Sequence, residues 1–125
     1  MLCIDIQDTC IIMRDQTGGQ LVRLFFNKST DLPVYDYLKP ILKPPFICIN
    51  RLVVSPLYQN NGLGTLVMNL LFDSNPEIRN YIVTAKPDEF TETNEKRLYS
   101  FYGKFGFKPF KESEDGLIML SISNI

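Results

Sequence analysis

The chain contains no histidine, and that absence removes several kinds of chemistry at once. Ser-His-Asp and Cys-His hydrolases need an imidazole as their base. Structural zinc sites draw four ligands mostly from Cys and His. Only three cysteines are present, Cys3, Cys10 and Cys48, with no Cys-x-x-Cys pair. They are expected to be reduced and buried in strands, where a thiol behaves as a small hydrophobe. A basic surplus is missing as well: 13 Lys and Arg face 14 Asp and Glu, a net charge of -1. Most non-specific affinity for nucleic acid comes from phosphate contacts, so no nucleic-acid partner is expected. No stretch approaches the ~20 apolar residues of a membrane helix. Met1 to Thr9 carries Asp5 and Asp8 and no basic region, so it does not read as a signal peptide. A cytoplasmic protein with no membrane partner is the expectation.

What is present fits one globular domain over residues 1–125, with 45% hydrophobic and 22% charged residues. The first half reads as strands. Leu2 to Thr9 alternates in part, placing Leu2, Ile4 and Ile6 on one face. Cys10–Arg14 and Leu21–Phe26 flank Asp15-Gln16-Thr17-Gly18-Gly19, a turn signal, which predicts an antiparallel hairpin. Ser29–Pro45 holds Pro33, Pro40, Pro44 and Pro45 among Tyr35, Tyr37, Leu38, Ile41 and Leu42. Asp36–Leu42 suits a helical turn or two, and the segment is apolar enough to pack over something.

Phe46–Val54 is nearly all apolar, as a central strand covered on both faces would be. Leu63, Leu66, Val67, Leu70 and Leu71 fall on one helical face, and that pattern stops near Asp73-Ser74-Asn75-Pro76. Tyr81–Ala85 follows as a strand. Strand, helix, strand predicts parallel pairing through a crossover. Leu98, Phe101, Tyr102 and Phe105 give a second helix, with Thr91, Thr93 or Asn94 as its cap and Gly106 just past its end. Phe107–Phe110 reads as a short strand, Glu112–Gly116 as a polar turn and Leu117–Ile122 as a last strand.

The segment from Val54 to Thr65 carries the most chemistry. A buried strand runs into a polar turn with two glycines, and the turn opens an amphipathic helix. The first N–H groups of a helix have no partner within it and point outward at the positive end of the dipole. Such a corner binds phosphate oxygens. Gly62 and Gly64 let a diphosphate approach the backbone, and Gln59 and Asn60 offer side-chain donors. The turn lacks the Gly-Lys-Ser/Thr ending of a P-loop and the tight glycine pair of a dinucleotide fingerprint. The plain alternative is a helix that merely begins in a glycine turn.

Val54-Ser55-Pro56-Leu57-Tyr58-Gln59-Asn60-Asn61-Gly62-Leu63-Gly64 resembles the acetyl-coenzyme A signature of the GCN5-related N-acetyltransferases (GNAT family). That signature is Gln or Arg, two variable residues, Gly, one variable residue, then Gly or Ala. Gln59, Gly62 and Gly64 match it, and Val54, Pro56 and Tyr58 match its usual lead-in. Leu98-Tyr99-Ser100-Phe101-Tyr102-Gly103-Lys104-Phe105-Gly106-Phe107 resembles the second block of the family, a tyrosine-bearing helix that ends in Gly-Phe. Asn94 resembles the asparagine near the start of that helix, though one residue further from Tyr102 than is common. The resemblance covers residues 46 to 122.

The resemblance implies a mixed α/β (α+β) fold. Its sheet is mostly antiparallel, its central parallel pair is splayed around a cofactor cleft, and helices flank it. Acetyl-coenzyme A is the implied cofactor. Its diphosphate would meet Gln59, Asn60, Asn61, Gly62, Leu63, Gly64 and Thr65, and its pantetheine arm would lie along the backbone of Leu52, Val53 and Val54. The partners would be acetyl-coenzyme A and a primary amine of a small molecule or protein. The two N-terminal helices of the family are absent here or reduced to the Asp36–Leu42 turn. The acceptor site is then open, lost or completed by a second subunit, as in a homodimer.

Tyr102 is the implied general acid, donating to the departing thiolate. Thiols titrate near ~8.5 and tyrosine near ~10, a tolerable mismatch. The alternative places Tyr102 in the core with a satisfied hydroxyl. No general base stands out. The central strand carries Asn50 and Arg51 and no carboxylate, and Asp31, Asp36, Glu89 and Glu92 are more ordinary surface charges. Cys48, in mid-strand, is expected to be inert. A catalytically inactive member that keeps the fold, or a structural partner that ignores coenzyme A, are the competing functions.

Overall fold

Asp15 closes the first hairpin. Its Oδ1 accepts from the Thr17 backbone N–H at 2.9 Å, the Thr17 hydroxyl at 2.7 Å and the Gly19 N–H at 2.9 Å. The Thr17 hydroxyl, and after it the Gly19 N–H, hold this carboxyl below its ordinary range. Gly18 sits at φ 88°, in the left-handed region, which is why the turn carries glycine there. The computed structural model describes residues 3–29, 45–55, 62–85, 92–114 and 116–122. Most of the proline-rich Ser29–Pro45 segment, with Tyr35, Tyr37 and the Asp36–Leu42 turn, lies outside the described residues.

The strands are β1 (Cys3–Ile6), β2 (Cys10–Arg14), β3 (Gln20–Ser29), β4 (Phe46–Val54), β5 (Asn80–Ala85), β6 (Lys108–Ser113) and β7 (Gly116–Ile122), and the helices α1 (Leu63–Ser74) and α2 (Glu92–Gly103). Strand order is β1-β2-β3-β4-β5-β7-β6, mostly antiparallel with β4 and β5 as the parallel pair. This is the mixed α/β architecture expected from the sequence. The chain divides into two compact units, Met1–Lys28 with Ile49–Ile78, and Ser29–Cys48 with Arg79–Ile125. β4 contributes its first three residues to the second unit and the rest to the first.

In the first unit α1 packs on β2. Ile11, Met13 and Leu24 of the hairpin and Val67, Met68 and Leu71 of α1 are all fully buried. The α1 stripe differs from the expected one. Met68 is buried, Leu66 is 39% exposed, and Leu63 and Leu70 are half-buried. The face that meets β2 is therefore rotated by one position from the leucine stripe. β1 is shorter than the expected Leu2–Thr9 strand, because the Gln7 N–H turns back to the Cys10 carbonyl at 2.8 Å. Ile4 pairs with Met13 and Ile6 with Ile11, so both share the core face, yet they stay 46% and 49% exposed at the sheet edge.

In the second unit the two sheet faces carry different cores. Phe46, Ile82, Ile118 and Leu120 pack together, with Cys48 against them. Tyr81, on the opposite face from Ile82, meets Phe107 edge-to-face at 6.5 Å. α2 ends at Gly103, and Gly106 follows at φ 87°, the left-handed position expected of it. Two corrections belong here. α2 starts at Glu92, so Thr93 and Asn94 lie inside the helix and are not its cap. Glu112 and Ser113 continue β6 rather than opening a turn, and Lys111, Glu112 and Ser113 pair with Ile118, Leu117 and Gly116. β6 is an exposed edge strand, where charged residues are ordinary and discourage further pairing.

Candidate functional site

Gly62 is the N-cap of α1, at φ 78° and ψ 5°. A backbone turned this way disfavours any side chain, and no side-chain group caps the helix. The first intrahelical bond, Leu66 N–H to the Gly62 carbonyl, measures 3.0 Å. The N–H groups of Leu63, Gly64 and Thr65 precede it and have no partner inside the helix. Among the described residues nothing lies within 4 Å of where a Gly62 side chain would begin. An uncapped helix start, with no acidic residue in its first turn, suits an anion such as a diphosphate. Of the other expected phosphate-binding residues, Gln59, Asn60 and Asn61 lie outside the described residues.

Leu52, Val53 and Val54 are half-buried at the end of β4. The Ser55 N–H donates to the Leu21 carbonyl on β3 at 2.8 Å. Backbone groups of successive strand residues point to opposite edges. Val53 therefore shares the β3-facing direction with Ser55, and the backbone groups of Leu52 and Val54 point to the other edge. This divides the three residues, which the sequence alone treats alike.

Tyr102 lies on the buried side of α2, 4% exposed. Its ring meets Phe101 at 5.3 Å and Phe107 at 5.7 Å, both edge-to-face, and Phe101 meets Phe105 at 5.3 Å. Tyr102 and Phe107 are thus packed in the core with Phe101 and Phe105 beside them, in line with the alternative that places Tyr102 in the core. Burial pushes the Tyr102 hydroxyl up to about 12. It is then a weaker acid than a thiol in water. A neutral hydroxyl here can still donate a hydrogen bond. Asn94 lies in the first turns of α2.

Cys48 is half-buried, and burial raises its thiol, in keeping with an inert residue. Cys10 is buried, but Cys3 is exposed, contrary to the expectation that all three are buried. Asn50 and Arg51 are exposed. Among the described residues no three of His, Cys, Asp and Glu come together as metal ligands would. No helix among them is long and apolar enough to cross a membrane.

One feature escaped the sequence reading. A hollow of about 280 Å³ in the first unit is lined by Gln20, Leu21, Val22, Arg23, Val53 and Ser55. Only Val53 had been given a role. The β2–β3 pairing beside the hollow carries a bulge between Met13 and Arg14, which leaves no mark in the residue pattern.

Residues 16–107 match the family model described as the acetyltransferase (GNAT) family. Comparison with curated proteins gives no match. Among solved structures the chain is similar to a Pyrococcus horikoshii protein, at 14% identity and a TM-score of 0.72, over 93% of this chain and 66% of that one. It is also similar to a histone acetyltransferase and related acetyltransferase from Corynebacterium glutamicum, at 14% identity and TM-score 0.63, over 93% and 65%. A third similarity is to an N-acetyltransferase from Thermoplasma acidophilum in complex with coenzyme A, at 14% identity and TM-score 0.59, over 91% and 60%. At these identities the likeness speaks for the fold alone. The chain spans 60% to 66% of the length of these relatives.

Proposed function

Because the chain belongs to the GNAT family of acetyltransferases, we propose that it moves an acetyl group from acetyl-coenzyme A to a primary amine of a small molecule or protein. The observation that carries this reading is the family match over residues 16–107. The start of α1 at Gly62, which no side chain caps, supports it independently, since helix-start N–H groups without an intrahelical partner fit a diphosphate. In this reading Leu63, Gly64 and Thr65 hold the diphosphate through backbone N–H groups, with Gln59, Asn60 and Asn61 beside them. The backbone of Leu52 and Val54 orients the pantetheine arm, and Asn94 assists from α2.

The bound thioester supplies the acyl group to be transferred. The protein contributes position: two reactants held at one place react faster than two that must meet. The acceptor amine must be neutral to attack. Tyr102 holds its proton at Oη at every physiological pH, so its part is a hydrogen bond to the sulfur rather than release of a whole proton.

The burial of Tyr102 also favours a second reading, in which this member keeps the fold and the cofactor but not the chemistry. One assay separates the two. The chain is incubated with acetyl-coenzyme A and a broad panel of amines, and free thiol is followed. The first reading predicts amine-dependent thiol release above a protein-free blank. Release no faster than the blank across the panel, together with thermal stabilisation by coenzyme A, would select the second.

A further inference from the structure

A bulge interrupts the β2–β3 hairpin. Ile12 pairs with Arg23, and Arg14 pairs with Gln20, because the bulge shifts the register between Met13 and Arg14. Residues opposite each other in an antiparallel pair project to the same face. Gln20 and Arg23 therefore stand on one face although three residues apart, and that face is opposite to the one where Ile11 and Met13 are buried beside α1. Leu21 and Val22 lie between Gln20 and Arg23 in sequence, and with Val53 and Ser55 these residues line the hollow of about 280 Å³.

Its lining mixes apolar and polar residues. Val53 supplies hydrocarbon, and Gln20, Ser55 and Arg23 supply a carboxamide, a hydroxyl and a guanidinium. Arg14 on the same face is paired with Asp5 at 3.7 Å. Arg23 has no carboxylate within ion-pair distance among the described residues. Its guanidinium lies 6.0 Å from the centre of the Phe25 ring, which steers the planar group without neutralising it. Arg23 is half-buried and meets no carboxylate among the described residues, and Gln20 and Ser55 line the same hollow; a guanidinium so placed can bind a carboxylate through two parallel N–H donors.

We propose that this hollow binds the carboxylate end of a small aminocarboxylate, and that Arg23 thereby selects acceptors of that class. The inference rests on the proposed acetyl transfer for the word acceptor, though not for the site. Val53 and Ser55 tie it to the end of β4, the segment given the pantetheine arm.

The test uses the full chain, labelled with nitrogen-15, and two amines of equal length, 4-aminobutyrate and butylamine. Saturable amide shifts at Gln20, Arg23 and Ser55 are expected with 4-aminobutyrate and not with butylamine. They should vanish in Arg23→Gln and weaken in Arg23→Lys, which keeps the charge but loses the fork. Ser55→Ala, a smaller change, should weaken them too. In the rate assay, kcat/KM for 4-aminobutyrate should exceed that for butylamine by roughly tenfold, and the ratio should fall to about one in Arg23→Gln. Equal shifts with butylamine, or shifts that survive in Arg23→Gln, would overturn the site. Equal shifts with inorganic phosphate at matched ionic strength would overturn its assignment to carboxylates. Shifts without acetylation of either amine would keep the site and overturn its role in choosing the acceptor, leaving the transfer reading to the broader panel. Equal acetylation of both amines without shifts would do the reverse.

Discussion

At Tyr102 burial and chemistry pull in different directions. A hydroxyl that titrates about 12 in the folded chain and near 10 in the unfolded one binds its proton more tightly when folded. Below pH ~10 both states are protonated and the group has no effect on stability. Between pH ~10 and about 12 the unfolded chain loses the proton first, so stability falls as pH rises, by up to roughly 2–3 kcal/mol. Denaturant titrations at pH 9 and pH 11.5 should show this fall in the parent chain and a smaller one in Tyr102→Phe. An equal loss in both would mean that the tyrosine is not buried as described. The same substitution bears on function. If Oη donates only a hydrogen bond, Tyr102→Phe should lower kcat by about tenfold and leave the shape of the pH–rate profile below pH 9 unchanged. The cysteines give a simpler check. Cys3 is exposed, Cys10 is buried and Cys48 is half-buried with a raised thiol. An aromatic disulfide reagent at pH 8 should find one fast thiol in the native protein and three after unfolding. Two or more fast thiols would contradict this packing.

The helices show how far a periodic pattern can be read. The leucines at 63, 66, 67, 70 and 71 announced α1, but its buried line runs through Val67, Met68 and Leu71. Leu71→Ala should cost about 2–5 kcal/mol, whereas Leu66→Gln should change stability by less than about 0.5 kcal/mol. Urea unfolding midpoints would tell them apart, and similar losses would place α1 in the wrong rotation. The start of α1 was legible because its constraint is local. Only a residue tolerant of positive φ fits at Gly62. Gly106, at φ 87° after α2, was legible for the same reason. The continuation of β6 through Ser113 was not, since Lys-Glu-Ser looks like a turn until β7 pairs with it. Its strand character comes from a partner and not from its own residues.

For the chain taken whole, order of elements and strand pairing followed from short signals in sequence: an apolar run at Phe46–Val54, an amphipathic helix, then Tyr81–Ala85. Parallel pairing of β4 with β5 is what such a unit demands. Two things could not be read that way. One is the division of β4 between two units, which reflects contacts far apart in the chain. The other is the hollow beside Arg23, whose lining joins residues 20–23 to Val53 and Ser55, far apart in the chain. The glycine corner that opens α1 was legible as a motif, and the hollow had no motif to find.

The central claim is that the outward N–H groups at the start of α1 hold the diphosphate of acetyl-coenzyme A. Calorimetric titration of the full chain with acetyl-coenzyme A, beside Gly62→Val, tests it most directly. The valine variant strains the left-handed backbone by roughly 1–2 kcal/mol and fills the approach, so a thermal melt of each protein is run first to show both are folded. The account predicts saturable one-to-one binding to the parent chain and at least tenfold weaker binding to the variant. No heat and no thermal stabilisation in the parent, or equal affinity in the two, would contradict it.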